Sequence, residues 1–338
     1  MRSAVETLTP GYFALVMASG IISVGLYLQG HVSLSRVLMV IAAIAYVTLI
    51  VLSVWRFASF KHAVRDDFAD PRRAFGFFTF VAGTNVLGTR LAIAELPQVT
   101  AGLLVISAAT WFVLGYVVPW TAVLGHSERP VIQAANGTWF IWVVGSQSVA
   151  VASATLEPIF DDVRRWLAIL AILSWSVGVF LYAAAGIFVA LRLMFYPVEP
   201  KDLTPPYWVA MGAVAITILA GARIVEMADA PMVTATRELI AGLAVVFWAF
   251  ATWLFPVLVA AGWWRHVTHK VPLKYEATLW SIIFPLGMYA CAGIYLGRAD
   301  SLPIVGAIGH IELWVALTAW LLTFVAMIRH VVLTVFRG

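Results

Sequence analysis

"LWSIIFPLGMYACAG" (Leu279–Gly293) is apolar enough to lie in hydrocarbon, yet Pro285 stands at its centre directly after Phe284. A proline in a helix interior removes a backbone donor and clashes with the carbonyl one turn back, at about 3 kcal/mol. Lipid supplies no water to satisfy the freed carbonyl. The break is tolerable where it faces a cavity or another helix, so this stretch reads as a membrane helix enclosed by others. Phe284 lies nine residues beyond Tyr275, about 14 Å along a helix, near the middle of a hydrocarbon core about 30 Å thick.

The remainder of the chain agrees with a membrane setting. Hydrophobic residues make up 62% of the 338 positions and charged residues 11%, against about 25% charged in ordinary soluble domains. A soluble fold could not cover so much apolar surface, so the chain reads as a polytopic membrane protein. "MRSAVETLTPGYFALVMASG" has one Arg, an early Glu and no clear cleavage end, and reads as the first span rather than a secretory leader. Cys291 is the sole cysteine, which excludes an intrachain disulfide. The net charge of +4 does not point to nucleic acid, because the basic residues sit in short loops, as a membrane orientation signal requires.

Ten segments are long enough to cross a bilayer: 10–29, 34–56, 75–94, 99–124, 136–156, 166–194, 206–227, 237–262, 275–297 and 308–334. The expected fold is an all-α membrane protein, one ten-helix transmembrane domain over 1–338. Longer basic connections follow the even spans, as in "RFASFKHAVRDDFADPRR", which reads as a solvated cytoplasmic loop touching anionic headgroups. The other connections are shorter and more acidic, a rhythm of five helical hairpins. With the amino terminus in the cytoplasm, 14 of the 21 basic residues lie on that side, Arg337 among them. Both termini are therefore expected to be cytoplasmic.

Odd spans carry the small and mildly polar residues: Ser19, Gly20 and Ser23; Gly83, Thr84 and Asn85; Gly145, Ser146 and Gln147; Pro285 and Gly287. Even spans 2, 4 and 8 are mostly Val, Leu, Ile, Phe and Trp. One reading makes the small residues sites of close helix packing. The other makes them the lining of a narrow passage inside an inner ring, with the even helices facing lipid.

"PGYFALVMASGIISVG", "FGFFTFVAGTNVLG", "GTWFIWVVGSQSVAV" and "WSIIFPLGMYA" together resemble the tellurite-resistance/dicarboxylate transporter family. That family includes bacterial tellurite-resistance protein, plant slow anion channels, and fungal malate and sulfite transporters. The resemblance runs through all ten spans. It implies five hairpins whose odd helices ring a pore, a trimeric assembly with one pore per protomer, anions as substrates, and a mid-membrane phenylalanine plug on helix 9. Phe284 matches that plug best, with Pro285 tipping it towards the axis; Phe255 also precedes a proline but lies on an even span.

The expected function is a passive anion channel or uniporter for small inorganic or organic anions, in the cell membrane. No carboxylate falls in the central third of an odd span, which favours passive flow over proton coupling. The alternative is a proton-coupled carrier of C4-dicarboxylates or of an oxyanion such as sulfite or tellurite. Arg90, about 22 Å along span 3 from Phe75, could gather anions at the outer mouth together with Arg223 and Arg298. Arg223 could instead pair with Glu226, and Arg298 with Asp300. His266 and His269 lack a third ligand, so no metal or other cofactor is expected. The chain carries no HExxH, GxSxG or Walker motif, so catalysis and ATP-driven pumping are not expected. No helix carries periodic arginines of the voltage-sensor type.

Overall fold

The computed structural model describes residues 2–125, 129–228, 230–299 and 301–336, and among these every regular element is helical. Arg337 and Asp300 lie outside the described residues. Ten long helices follow in order: α1 (Ala14–Leu28), α2 (Val32–Ser59), α3 (Phe78–Ile93), α4 (Pro97–Val118), α5 (Phe140–Leu156), α6 (Arg164–Phe195), α7 (Val209–Val225), α8 (Pro231–Trp263), α9 (Trp280–Ala299) and α10 (Pro303–Val331). Short helices also form at Arg2–Glu6 and Lys61–Ala69.

Local chemistry sets several boundaries. α4, α8 and α10 each begin with proline, whose fixed φ suits the first helical position and whose missing N–H costs nothing there. For that reason α8 starts at Pro231 and α10 at Pro303, five or six residues before the expected starts at 237 and 308. Arg237, Glu238, His310 and Glu312 thus lie on helices rather than at their margins. Each odd helix is led in by a short 3-10 turn: Pro10–Phe13, Ala74–Phe77, Gly137–Trp139, Pro205–Trp208 and Ala277–Leu279.

Among the described residues, nine helices are long and apolar enough to cross a membrane. The helix outside that set is α3, which carries Thr79, Thr84, Asn85, Thr89 and Arg90. It can be polar because it is enclosed: nearly every residue from Phe78 to Arg90 is buried.

Packing sorts the helices into two layers. The spans containing α1, α5, α7 and α9 are 78–94% buried within the chain, whereas those of the even helices are 17–33% buried. Every odd helix packs on the even helix that follows it. The odd helices also touch one another in a closed circuit, α1 on α3, α3 on α5, α5 on α7, α7 on α9, and α9 back on α1. Small residues permit that circuit. A Cβ on Gly20 would stand 2.8 Å from Val86, on Gly145 3.0 Å from Phe78, on Gly212 2.8 Å from the Pro285 ring, and on Gly287 2.8 Å from Ile22. Gly83 likewise faces Phe13 and Val16. The apolar residues left outside, such as Val105, Phe180, Trp253 and Ile304, lie on even helices and are exposed.

The loop after α2 is not simply solvated. Arg56 and Asp67 are both buried, and their side chains meet at 2.7 Å. The other Asp67 oxygen takes Arg73 at 2.6 Å, and Arg56 Nε donates to the carbonyl of Glu6. Removing a charge from water is costly unless it is paired, and this shared carboxylate ties residues 61–73 to the carboxyl-terminal end of α2.

Candidate functional site

Two cavities lie along the axis of the inner ring. The first, of about 230 Å³, is bordered by the leading segment of every odd helix: Thr9 and Gly11; Arg72, Arg73 and Gly76; Asn136, Thr138 and Ile141; Thr204 and Pro206; and Glu276, Ala277, Thr278 and Ser281. The second, about 20 Å³, is also bordered by all five: Ile21 and Val24, Asn85 and Thr89, Ser148 and Val151, Ile216 and Arg223, Met288 and Tyr295. That volume is roughly what one water needs. Because starts meet starts and later turns meet later turns, the five odd helices run in the same direction.

Between the cavities the ring is filled. On α9 the first cavity ends at Ser281 and the second begins at Met288, seven residues or about 10 Å further along. Residues at i, i+3 and i+7 share a helix face, so Phe284 sits on the face that carries Ser281 and Met288. It is 1% exposed, and Met17, Val81, Val144 and Ala213 at comparable depth on the other odd helices are at most 2% exposed. Phe284 is the largest of these five side chains. The freed backbone around Pro285 meets no lipid: its ring rests on Gly212 of α7, the close approach that glycine permits.

The sequence candidates divide by what they touch. Ser19 accepts from Trp320 of α10 at 2.9 Å, and Ser146 accepts from Trp111 of α4 at 2.8 Å. Thr84 bonds Tyr46 of α2 at 3.0 Å, and Gln147 Nε2 donates to the Trp175 carbonyl of α6 at 3.1 Å. Asn85 accepts from Ser107 of α4 at 2.6 Å and donates to Ser148 of α5 at 3.0 Å. These bonds mostly join the inner ring to the outer layer, and of these residues Asn85 also borders the second cavity.

The three arginines also separate. Arg223 borders the second cavity, half-buried, with Glu226 at 3.4 Å and its guanidinium 5.4 Å from the Tyr295 ring centroid. Arg298 donates to the Leu28 carbonyl at 2.9 Å. Arg90 is 2% exposed and turns towards α1 and α2, donating to Ser23 at 2.9 Å and Ser35 at 3.0 Å, with Tyr27 at 5.3 Å. Ser23 and Ser35 also donate to each other's carbonyls at 2.6 Å.

Sequence reasoning passed over Thr89, Tyr295, Arg72, Arg73, Glu276 and Thr278, all of which border a cavity. One signal could have found the second group. "TPGYF" (9–13), "RAFGF" (73–77), "NGTWF" (136–140), "TPPYW" (204–208) and "EATLW" (276–280) are one repeated lead-in ending in an aromatic residue, and each forms the turn that opens an odd helix. Most residues of the first cavity belong to this repeat, and Arg72, Ile141 and Ser281 stand directly beside it. Among the described residues, no group of three or more His, Cys, Asp or Glu could hold a metal ion.

Comparison with known proteins follows the same geometry along the chain. Residues 7–328 match the family described as voltage-dependent anion channel. An uncharacterized membrane protein of Mycobacterium tuberculosis is 62% identical over 159 residues, 47% of this chain and 81% of that protein. Two uncharacterized transporters of Methanocaldococcus jannaschii are each 24% identical, over 99% and 98% of this chain and 96% and 97% of their own lengths. With a match that takes in nine of the ten long helices whole, nearly all of α10 and both cavities, the chain belongs to the voltage-dependent anion channel family.

Proposed function

We propose that the chain is a passive channel for small anions, that the axis of the odd-helix ring is its path, and that Phe284 is its gate. In this reading the ten helices cross the membrane as five hairpins, both termini face the cytoplasm, and three copies assemble with one path each. The first cavity then opens to the cytoplasm and the second to the opposite side.

The observation that carries the reading is the alignment on α9. Ser281, Phe284, Met288 and Tyr295 share one face; the first borders one cavity, the last two border the other, and Phe284 lies between them in a stretch about 10 Å long. An apolar ring in so narrow a passage blocks it sterically and keeps it dry. At the outer mouth Arg223 raises the local anion concentration directly, while Arg90 and Arg298 add to the positive potential at longer range. Gly20, Gly83, Gly145 and Gly287 serve the path by letting the ring helices approach, and Ser19, Ser23, Thr84, Ser146 and Gln147 by fixing the ring to its outer layer.

A proton-coupled carrier is the second reading, and one observation favours it. Glu312 stands nine residues into α10 with Oε1 buried and no hydrogen-bond partner among the described residues. Ionisable groups of this kind within membrane helices commonly relay protons.

Anion flux into liposomes separates the two. With Phe284→Ala, chloride or nitrate flux is expected to rise at least about tenfold, equally with and without a pH gradient. No rise removes Phe284 as the gate. Accumulation of malate against its gradient only while protons flow, abolished by Glu312→Gln, favours the carrier.

A further inference from the structure

The first cavity has a chemistry that a mere opening does not require. Five helices begin around it, and a helix start carries unsatisfied N–H groups and about half a positive charge. Four of the five residues before these starts, Thr9, Arg73, Thr204 and Glu276, make no capping hydrogen bond through their side chains. Asn136 alone caps, accepting from the Thr138 amide at 2.8 Å. The dipole ends therefore add at one place instead of being answered by side-chain oxygens.

One hydroxyl near the start of α9 faces the same cavity without a partner among the described residues. Ser281 is 7% exposed, borders the cavity and makes no side-chain hydrogen bond among the described residues. Thr278, in the turn before α9, borders the cavity too, but its Oγ1 is fully enclosed and out of reach from that space. Phe284 follows Ser281 by three residues on the same face. A buried hydroxyl without a partner is disfavoured, unless something that accepts hydrogen bonds occupies the space. The bordering charges are Arg72, Arg73 and Glu276. Asp67 holds Arg73 at 2.6 Å, and Arg72 makes no ion pair among the described residues.

We propose that the first cavity is a binding site for one partly dehydrated monovalent inorganic anion, held by the Ser281 hydroxyl beneath the five convergent helix starts, one turn short of Phe284. The inference rests on the ring axis being the anion path. The site replaces part of the hydration shell before the ion meets the gate, and its volume of about 230 Å³ leaves room for the water that remains.

Bromide is the probe. In crystals of the whole chain soaked in bromide, an anomalous peak is expected within hydrogen-bond reach of Ser281 Oγ. Ser281→Ala should abolish it, and Thr278→Val should keep it. On a Phe284→Ala background, Ser281→Ala should raise the half-saturating cytoplasmic bromide concentration by about tenfold or more. A wild-type crystal without that peak, or a Ser281→Ala substitution that leaves peak and half-saturation unchanged, overturns the site. The gate fails separately: if Phe284→Ala adds no flux while the peak is present, Phe284 is not the gate and the site stands.

Discussion

In the proposed reading, single side chains decide whether the axis is open. If Phe284 closes it by bulk and dryness, flux should follow side-chain size, with Phe284→Leu between the wild type and Phe284→Ala in the same liposome assay. Equal flux through the Leu and Ala variants would mean that something other than ring volume holds the path shut. Arg223→Gln should lower flux from the outer side, and the loss should shrink as ionic strength rises, because exposed charges are screened within about 8 Å at physiological salt. Arg90 sits in a different environment. Its serine partners bond each other and no carboxylate depends on it, so Arg90→Met should change thermal stability by only about 1 kcal/mol. Asp67→Ala is the opposite case. It leaves Arg56 buried without a counter-charge, at about 3–5 kcal/mol, and the melting temperature of the detergent-solubilised protein should drop accordingly.

At the scale of the helix, the ring depends on how near two backbones can come. A Cβ on Gly137 would lie 2.2 Å from the backbone of Pro206, which cannot move aside, whereas a Cβ on Gly102 in α4 meets nothing within 4 Å. Gly137→Ala should therefore destabilise severely. Gly102→Ala should stabilise by up to about 1 kcal/mol through helix propensity alone. A thermal melt of the two variants beside the wild type checks both signs. This scale is also where sequence reading reached its limit. A serine on an odd helix looks the same whether it borders a cavity, as Ser148 does, or accepts from an outer-layer tryptophan, as Ser146 does. The two are neighbours but one, and the rotation of α5 that separates them is set by packing with α3, α4 and α7. The spans were legible because even helices need an apolar face along most of their length. The buried Arg56–Asp67–Arg73 cluster was not, because nothing in a run of charges says which of them leave water.

At the scale of the whole molecule, the apolar belt belongs to the even helices, and the polar residues lie either within the ring or towards its ends. Reporter fusions at the loop 195–205 and at the carboxyl terminus should both report the cytoplasmic side. Opposite sides would break the even count of crossings. Mass measurement from native membranes should return three copies; a monomer carrying full flux would show that each path works without neighbours.

The circuit of helices closes only where α9 meets α1, at Gly287 against Ile21 and Ile22. These are the first and the last of the five, more than 260 residues apart along the chain. During synthesis, four fifths of the wall is laid down before its final stave leaves the ribosome. Until then the partial wall is a trough, and lipid tails can occupy the future axis. If the axis is the anion path, completing the ring means expelling those tails, so the path forms only with the arrival of α9.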